Sequence, residues 1–313
     1  MGGRIVIGTR GSMLALVQAG QVRDLLQAAL PDHEVSLRLL ASEGDLDRSR
    51  PLSRFEGRGV FVKSLERALL AGEVDCCVHS MKDVPPVLAP GLVIGAVPVR
   101  EDVRDALITR GSVPFAELGR GARVATGSLR RRVQLARLRD DLVFVDVRGN
   151  LDTRLAKLDQ GRFDALVVAA AGMHRLGRGG RIAEYLPVDV SVPAPGQGAI
   201  GVEVRADDEG MLRACQLIDD PALHRDVGIE RELMCAHDAD CSLPFGAYAR
   251  MEQAADAVTS YRIDLWLLTG GLLRSVRVSG REDEAGELAC EAAMQLAFRP
   301  GEAAPPVRTS EGC

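Results

Sequence analysis

The residues of this 313-residue chain best suited to chemistry stand together in Val74-Asp75-Cys76-Cys77-Val78-His79-Ser80-Met81-Lys82-Asp83-Val84-Pro85-Pro86. An apolar, β-forming run ends there at a proline pair that no strand can continue. Between the two lie an imidazole, a hydroxyl, an ammonium and a carboxylate within five positions. In an open α/β sheet, ligands bind in the crevice beyond the carboxyl ends of the strands. An extended chain would send Lys82 and Asp83 to opposite faces, so a turn is needed to aim both into one crevice. Taken alone, the stretch also fits a solvated polar turn.

The second candidate set is arginine. Thr9-Arg10-Gly11-Ser12 follows a short apolar run and precedes an amphipathic one, with Ser12 placed as an N-cap. Free backbone N–H groups, the positive end of a helix dipole and a guanidinium converge at such a turn, which makes it an anion site. Neither a Walker loop nor a Rossmann glycine pattern is present. Thr126-Gly127-Ser128-Leu129-Arg130-Arg131-Arg132 repeats the device, and Asp146-Val147-Arg148-Gly149-Asn150 leads into a helix bearing Arg154. Arg175 closes the segment after a further strand. One arginine past a strand end is ordinary surface; four strand ends all supplying them point to a cleft for a polyanion, because the planar guanidinium matches carboxylate geometry and keeps its charge when desolvated. Only Lys63, Lys82 and Lys157 are lysines among the 39 basic residues. Codon bias accounts for most of that imbalance.

These residues require elements to hold them. Strands are predicted over Arg4–Gly8, Val35–Leu40, Val74–Val78 and Leu92–Val97, with helices over Met13–Leu30 and Val60–Leu70, a βαβαβ pattern. A second unit has strands at Ala106–Thr109, Arg123–Thr126, Leu142–Val145 and Ala165–Val168, and a strand at Ala199–Val204 follows the Pro/Gly-rich Val192–Gly198. Linkers near 99–103 and 192–198 fit a chain that crosses twice between two α/β domains, 1–98 with 199–217 and 104–192. Helices over Gly210–Ile218 and Pro221–Met234 precede alternating segments at Ala247–Met251, Tyr261–Leu268 and Leu272–Val278 and a helix over Glu284–Phe298, giving a small α+β domain over 221–300. Residues 41–59 read as a mobile surface loop and 301–313 as a flexible tail.

Composition bounds the function. Hydrophobic content of 46% and charged content of 27% are those of a globular protein. No apolar run reaches a membrane span, and the N-terminal residues show no signal-peptide h-region. A net charge of −5 argues against nucleic acid as partner. Seven cysteines without paired spacing argue for a reducing cytoplasm, and no His/Cys cluster has zinc spacing. Cys76 and Cys77 lie in an apolar run, Cys215, Cys235 and Cys290 in helical patterns, and Cys313 at the end. Only Cys241 sits in a polar loop closed by Leu243-Pro244-Phe245-Gly246. Its position alone fits a reactive or a structural thiol equally well.

In this order and spacing, several segments resemble the porphobilinogen deaminase family over essentially the whole chain. They are Thr9–Ser12 with Leu14-Ala15-Leu16 and Gln18-Ala19, His79–Pro85, Thr126–Arg131, Val147–Asn150 with Thr153-Arg154-Leu155, Pro193–Ala199, and Cys241 with Leu243–Ala249. The resemblance implies two periplasmic-binding-like α/β domains around a cleft and a third domain bearing a cysteine. That cysteine, here Cys241, would hold a dipyrromethane cofactor by a thioether. The implied reaction condenses four porphobilinogens head to tail on the cofactor with loss of ammonia and releases hydroxymethylbilane by hydrolysis. Asp83 matches the catalytic aspartate. Arg10, Arg130, Arg131, Arg148, Arg154 and Arg175 match the carboxylate-binding set, joined by Ser12, Lys82, Thr126 and Ser128, and by Ser80, Asn150 and Gln197 of the same motifs. A transferase of haem biosynthesis follows, monomeric and cytoplasmic, with no metal, nucleic acid or membrane partner.

The residue types suit that chemistry. Each pyrrole carries an acetate and a propionate, so a growing chain brings many carboxylates to the arginines. Loss of ammonia leaves an electron-poor azafulvene, and a fixed carboxylate stabilises the positive charge on pyrrole nitrogen and relays protons. The sequence departs from the family pattern at Glu56-Gly57-Arg58-Gly59, Ser64, Gly127 and Ala239-Asp240. Two rival readings keep the same fold: a non-catalytic bilobal anion-binding protein, which needs neither Asp83 nor Cys241, and an inactive paralogue that binds tetrapyrroles without turnover.

Overall fold

The computed structural model describes residues 3–40, 62–237, 239, 243–253, 259–269 and 272–297. The 41–59 loop, most of the Cys241 loop and the tail after 300 lie outside them, as do the Glu56–Gly59 and Asp240 departures. The chain divides into two compact units, Met1–Glu101 with Gly198–Arg225, and Asp102–Gln197 with Asp226–Cys313.

The first unit opens with β1 (Arg4–Thr9), α1 (Met13–Ala29), β2 (Glu34–Leu39), α2 (Lys63–Leu70), β3 (Cys76–Ser80) and β4 (Leu92–Arg100). α1 starts because Ser12 is extended and its hydroxyl accepts from the N–H of Ala15 at 3.3 Å. It stops at Leu30, before Pro31, and turns Ala19, Val22 and Leu26 onto the sheet. α2 begins at Lys63, three residues later than the apolar pattern predicts.

The second unit carries β5 (Asp105–Thr109), β6 (Arg123–Ala125), α3 (Leu129–Ala136), β7 (Val143–Val145), α4 (Leu151–Asp159), β8 (Ala165–Ala169), α5 (Ala170–Arg175) and β9 (Glu184–Leu186). All five residues of β8 are buried, as expected for a central strand covered on both faces. The short edge strand β9 has no hydrophobic alternation to announce it. The chain then returns to the first unit as β10 (Ala199–Arg205) and α6 (Glu209–Gln216).

The two five-stranded sheets share one plan. In the first the order is β2-β1-β3-β10-β4, and in the second β7-β6-β8-β5-β9. In each the first three strands are parallel and the fourth is antiparallel to both its neighbours. The return strand β10 is entered through Gly198, whose φ of +87° suits glycine and where a Cβ would lie 2.2 Å from the Glu101 carbonyl oxygen.

The remaining elements are α7 (Pro221–Ala236), the antiparallel meander β11 (Phe245–Gln253), β12 (Thr259–Thr269) and β13 (Leu272–Gly280), and α8 (Ala285–Ala297). Tyr261, Ile263 and Leu265 alternate inward on β12 against Leu233, Leu288 and Ala292. On the other face Asp264 is ion-paired with Arg250, Arg262 and Arg277. Two five-stranded α/β sheets and a small α+β layer are thus the architecture expected from the sequence. Among the described residues no helix is long and apolar enough to cross a membrane.

Candidate active site

β3 ends at Ser80 and turns at once into a 3-10 helix over Met81–Asp83. Two contacts seat this turn. Ser80 Oγ lies 2.8 Å from Gln18 Nε2 and 3.0 Å from Gln18 Oε1 on α1. The Met81 side chain lies across Gly201 of β10, where a Cβ would come within 2.0 Å of its sulfur. Within the turn Lys82 is half-buried and Asp83 is exposed. No described residue gives the Asp83 carboxylate a hydrogen bond or ion pair.

His79, a candidate base from the sequence, belongs to the interior instead. Its Nε2 is 2.9 Å from Glu203 Oε2 on β10, both residues are buried, and Glu203 Oε1 has no partner among the described residues. Glu66 of α2 lies nearby. Burial pushes its carboxyl up, partly offset by the Ala89 N–H that it accepts. The Glu203 partner, 124 residues from His79, has no local signal beyond a lone acid in the apolar run Ala199–Val204.

Ser12 caps α1, and half-buried Arg10 stands between it and β1. The equivalent turn after β6 is built alike. Thr126 is buried with its hydroxyl accepting from the Ser128 N–H at 3.2 Å, and Ser128 Oγ accepts from the Arg131 N–H at 3.4 Å to start α3. Gly127, one of the departures, would place a Cβ 3.0 Å from the Val147 carbonyl oxygen.

Arg130 and Arg131 are both buried, and they converge on one carboxylate that the sequence did not single out. Asp105, fully buried at the start of β5, accepts from Arg130 Nη2 at 2.9 Å, Arg131 Nε at 2.8 Å, Gln197 Nε2 at 2.9 Å and Ser191 Oγ at 2.7 Å. Burial alone would raise this carboxyl; Arg130 and Arg131 outweigh it and, with Gln197 and Ser191, hold it well below the usual carboxylate range. Gln197 also donates to the Val103 carbonyl at 2.7 Å, and Gln134 exchanges bonds with both backbone groups of Val192. Arg130, Arg131 and Gln197 are therefore tied into the fold of the second unit. An acid opening the otherwise apolar run Asp105–Thr109 was the available signal.

Arg148 and Arg154 are more open. Arg148 is exposed and leans on Asp146 at 3.0 Å, while Arg154 donates to the Gly149 carbonyl at 2.8 Å. Asn150 serves as the α4 cap, accepting from the Thr153 N–H at 2.9 Å. Arg175 ends α5, half-buried.

Cys241 lies outside the described residues. Cys313 also lies outside them, and the five described thiols are placed as their patterns predict. Burial pushes Cys76 and Cys77 far up and Cys215 up to about 12, so none of the three offers a thiolate. Cys235 and Cys290 are on helices. A dipyrromethane would present carboxylates and pyrrole N–H groups. The donor set fits it: guanidiniums past three strand ends of the second unit, with Arg131 Nη1 unpartnered among the described residues.

Residues 5–213 match the family model for the porphobilinogen deaminase, dipyromethane cofactor binding domain. The porphobilinogen deaminase of Roseiflexus sp. (strain RS-1) is 44% identical over 299 residues, 96% of this chain and 97% of its own. That of Syntrophobacter fumaroxidans is 47% identical over 247 residues, covering 79% and 80%. Among solved structures, the chain is similar to the Bordetella pertussis BvgS periplasmic VFT2 domain at a TM-score of 0.42 and 17% identity, covering 75% and 92%. The chain belongs to the porphobilinogen deaminase family.

Proposed function

We propose that this chain is the transferase that polymerises porphobilinogen to hydroxymethylbilane, with Asp83 at the reacting centre and its dipyrromethane carried by Cys241. Arg10, Arg131, Arg148, Arg154 and Arg175 receive the acetate and propionate groups, with Arg130, Ser12, Ser80, Lys82, Thr126, Ser128, Asn150 and Gln197 completing or supporting that surface. The observation that carries this reading is the uncommitted carboxylate of Asp83, exposed on a turn that Gln18 and Gly201 hold in place. Most exposed acids can rotate away; this one ends a seated 3-10 turn, so its backbone position is set before substrate arrives.

When bound, the dipyrromethane supplies the pyrrole carbon from which the product chain grows. The residues of this chain supply position and charge. Guanidiniums dock the carboxylates of porphobilinogen by charge-assisted hydrogen bonds and exclude water around them. Asp83 stabilises the positive charge that develops on the pyrrole nitrogen as ammonia leaves, and accepts and returns a proton at a carboxylate oxygen. His79 takes no part, because its imidazole is committed to Glu203 in the interior. No observation favours the rival readings of a non-catalytic binding protein or an inactive paralogue.

The proposal includes three domains, over 1–98 with 199–217, 104–192 and 221–300, and a monomer of the cytoplasm. The test is intact mass with a porphobilinogen-consumption assay. The wild type is expected to carry a covalent dipyrrole and turn over. Cys241→Ser should lack both, while Cys235→Ser keeps both. An adduct that persists in Cys241→Ser, or maps to another cysteine, removes Cys241 from this role.

A further inference from the structure

Arg130 and Arg131 are adjacent in sequence, buried, and close enough to share one carboxylate. Two guanidiniums out of water repel each other and lose hydration, so a buried acid between them offsets part of that cost. Asp105 is that acid, and its two oxygens are fully used by four donor groups. One carboxylate against two guanidiniums leaves one positive charge uncompensated.

The donors show which arginine keeps it. Arg130 gives Nη2 to Asp105 and Nη1 to the Val192 carbonyl, and its Nε is sealed from solvent without a partner. Nothing of Arg130 is left to offer. Arg131 is gripped at three points: its backbone N–H by Ser128 Oγ at 3.4 Å, its Nε by Asp105 at 2.8 Å, and its Nη2 by Gln197 Oε1 at 3.0 Å. Its Nη1 has no partner among the described residues and is not among the sealed atoms.

We propose that Asp105 is a positioning residue for substrate and cofactor carboxylates: with Gln197 it immobilises Arg131 so that Nη1 is the one edge presented, while Arg130 is the tie that balances Asp105. The inference rests on the arginine site proposed above and divides the labour within it. Ordering a free arginine on binding costs rotamer entropy, and Asp105 has removed that cost in advance. Its own strand start places the residue beside the segment Ser191–Gln197, so the carboxylate also fixes the Gln197 amide that holds the other end of Arg131.

The test compares Asp105→Asn, Asp105→Glu and Arg131→Leu by near-UV circular dichroism, intact mass and steady-state kinetics on the loaded fraction. Folded Asp105→Asn is expected to show a KM for porphobilinogen raised at least about fivefold and a reduced share of protein carrying the dipyrrole, with kcat of the loaded fraction changed less than about twofold. Asp105→Glu should recover part of the loss, because the charge survives. Normal KM and full loading in folded Asp105→Asn would overturn the proposal, since a purely structural acid changes only the melting temperature. Should Asp105→Asn fail to fold, Gln197→Leu, which leaves the ion pair intact, is expected to raise KM at least about threefold, and an unchanged KM there overturns it equally. Arg131→Leu separates the two levels. Unchanged loading and KM in that variant would remove the arginine site itself, whereas loss in Arg131→Leu beside a normal Asp105→Asn removes only the part played by Asp105.

Discussion

The turn after β1 and the turn after β6 stand at the same place in their respective sheets and are spelled alike, with threonine, glycine, serine and then a capped helix. Both cap their helix through a serine hydroxyl on the backbone N–H three residues on. They differ in what happens to the cation. In the first unit Arg10 precedes the cap and stays half-buried, and the exposed acid Asp83 comes from the neighbouring strand end without a described partner. In the second, Arg130 and Arg131 follow the cap, which turns them inward onto the antiparallel strand β5 and its Asp105. The same local device thus leaves the arginine ahead of the helix in one unit and carries an ion-paired, pre-set pair into the helix in the other. The difference lies in the register of the arginine relative to the cap and in one acid supplied from elsewhere in the sheet.

The largest effect expected from this contrast is on stability in the second unit. Asp105→Ala leaves two buried guanidiniums without a counter-charge and should cost about 3–5 kcal/mol of unfolding free energy by denaturant titration. A loss below about 1 kcal/mol would mean that the ion pair holds nothing. Asp83→Asn in the first unit should do the reverse: an unchanged melting temperature with turnover slower by about a hundredfold, near 2.7 kcal/mol in the barrier. Near-normal turnover would take Asp83 out of the chemistry, and Asp83→Glu should keep part of it.

The caps test whether the two turns are locally equivalent. Ser12→Ala and Ser128→Ala should each cost about 1 kcal/mol of stability. Ser128→Ala should raise KM by more than Ser12→Ala does, because only there does the cap hold the backbone N–H of a ligand-facing arginine. Equal KM changes in both would erase the distinction.

The smallest effects are in pH dependence, and they have opposite signs. The folded-state pKa of Asp105 is lowered, so its contribution is present above the ordinary carboxylate range, near 4, and is lost as pH falls below it. Asp105→Asn should therefore flatten the acid limb of a stability–pH curve. The folded-state pKa of Glu66 is raised by burial, so its contribution is full below its ordinary value of 4.5 and is lost as pH rises through the higher folded value. Glu66→Gln should keep the Ala89 bond and leave stability at pH 8 equal or higher, by no more than about 1 kcal/mol. A lower stability at pH 8 would contradict the desolvation reading of Glu66.

Much of this molecule follows from local chemistry. The periods of the apolar residues specify the strands and helices, Ser12, Ser128 and Asn150 start helices through their own hydroxyl or amide, and the proline pair after Asp83 forces the turn. Motif spacing was enough to reach the family, since those motifs are long and local. What the sequence could not supply was pairing between residues far apart in the chain. Whether His79 is a base or a core residue depended on Glu203, and whether Arg130 and Arg131 are open or tied depended on Asp105 and Gln197. An ionisable side chain reads the same in a sequence whether it faces water or a buried counter-ion. Only the strand order that brings β10 beside β3, and β5 beside β8 with the helix after β6 over its start, makes that choice.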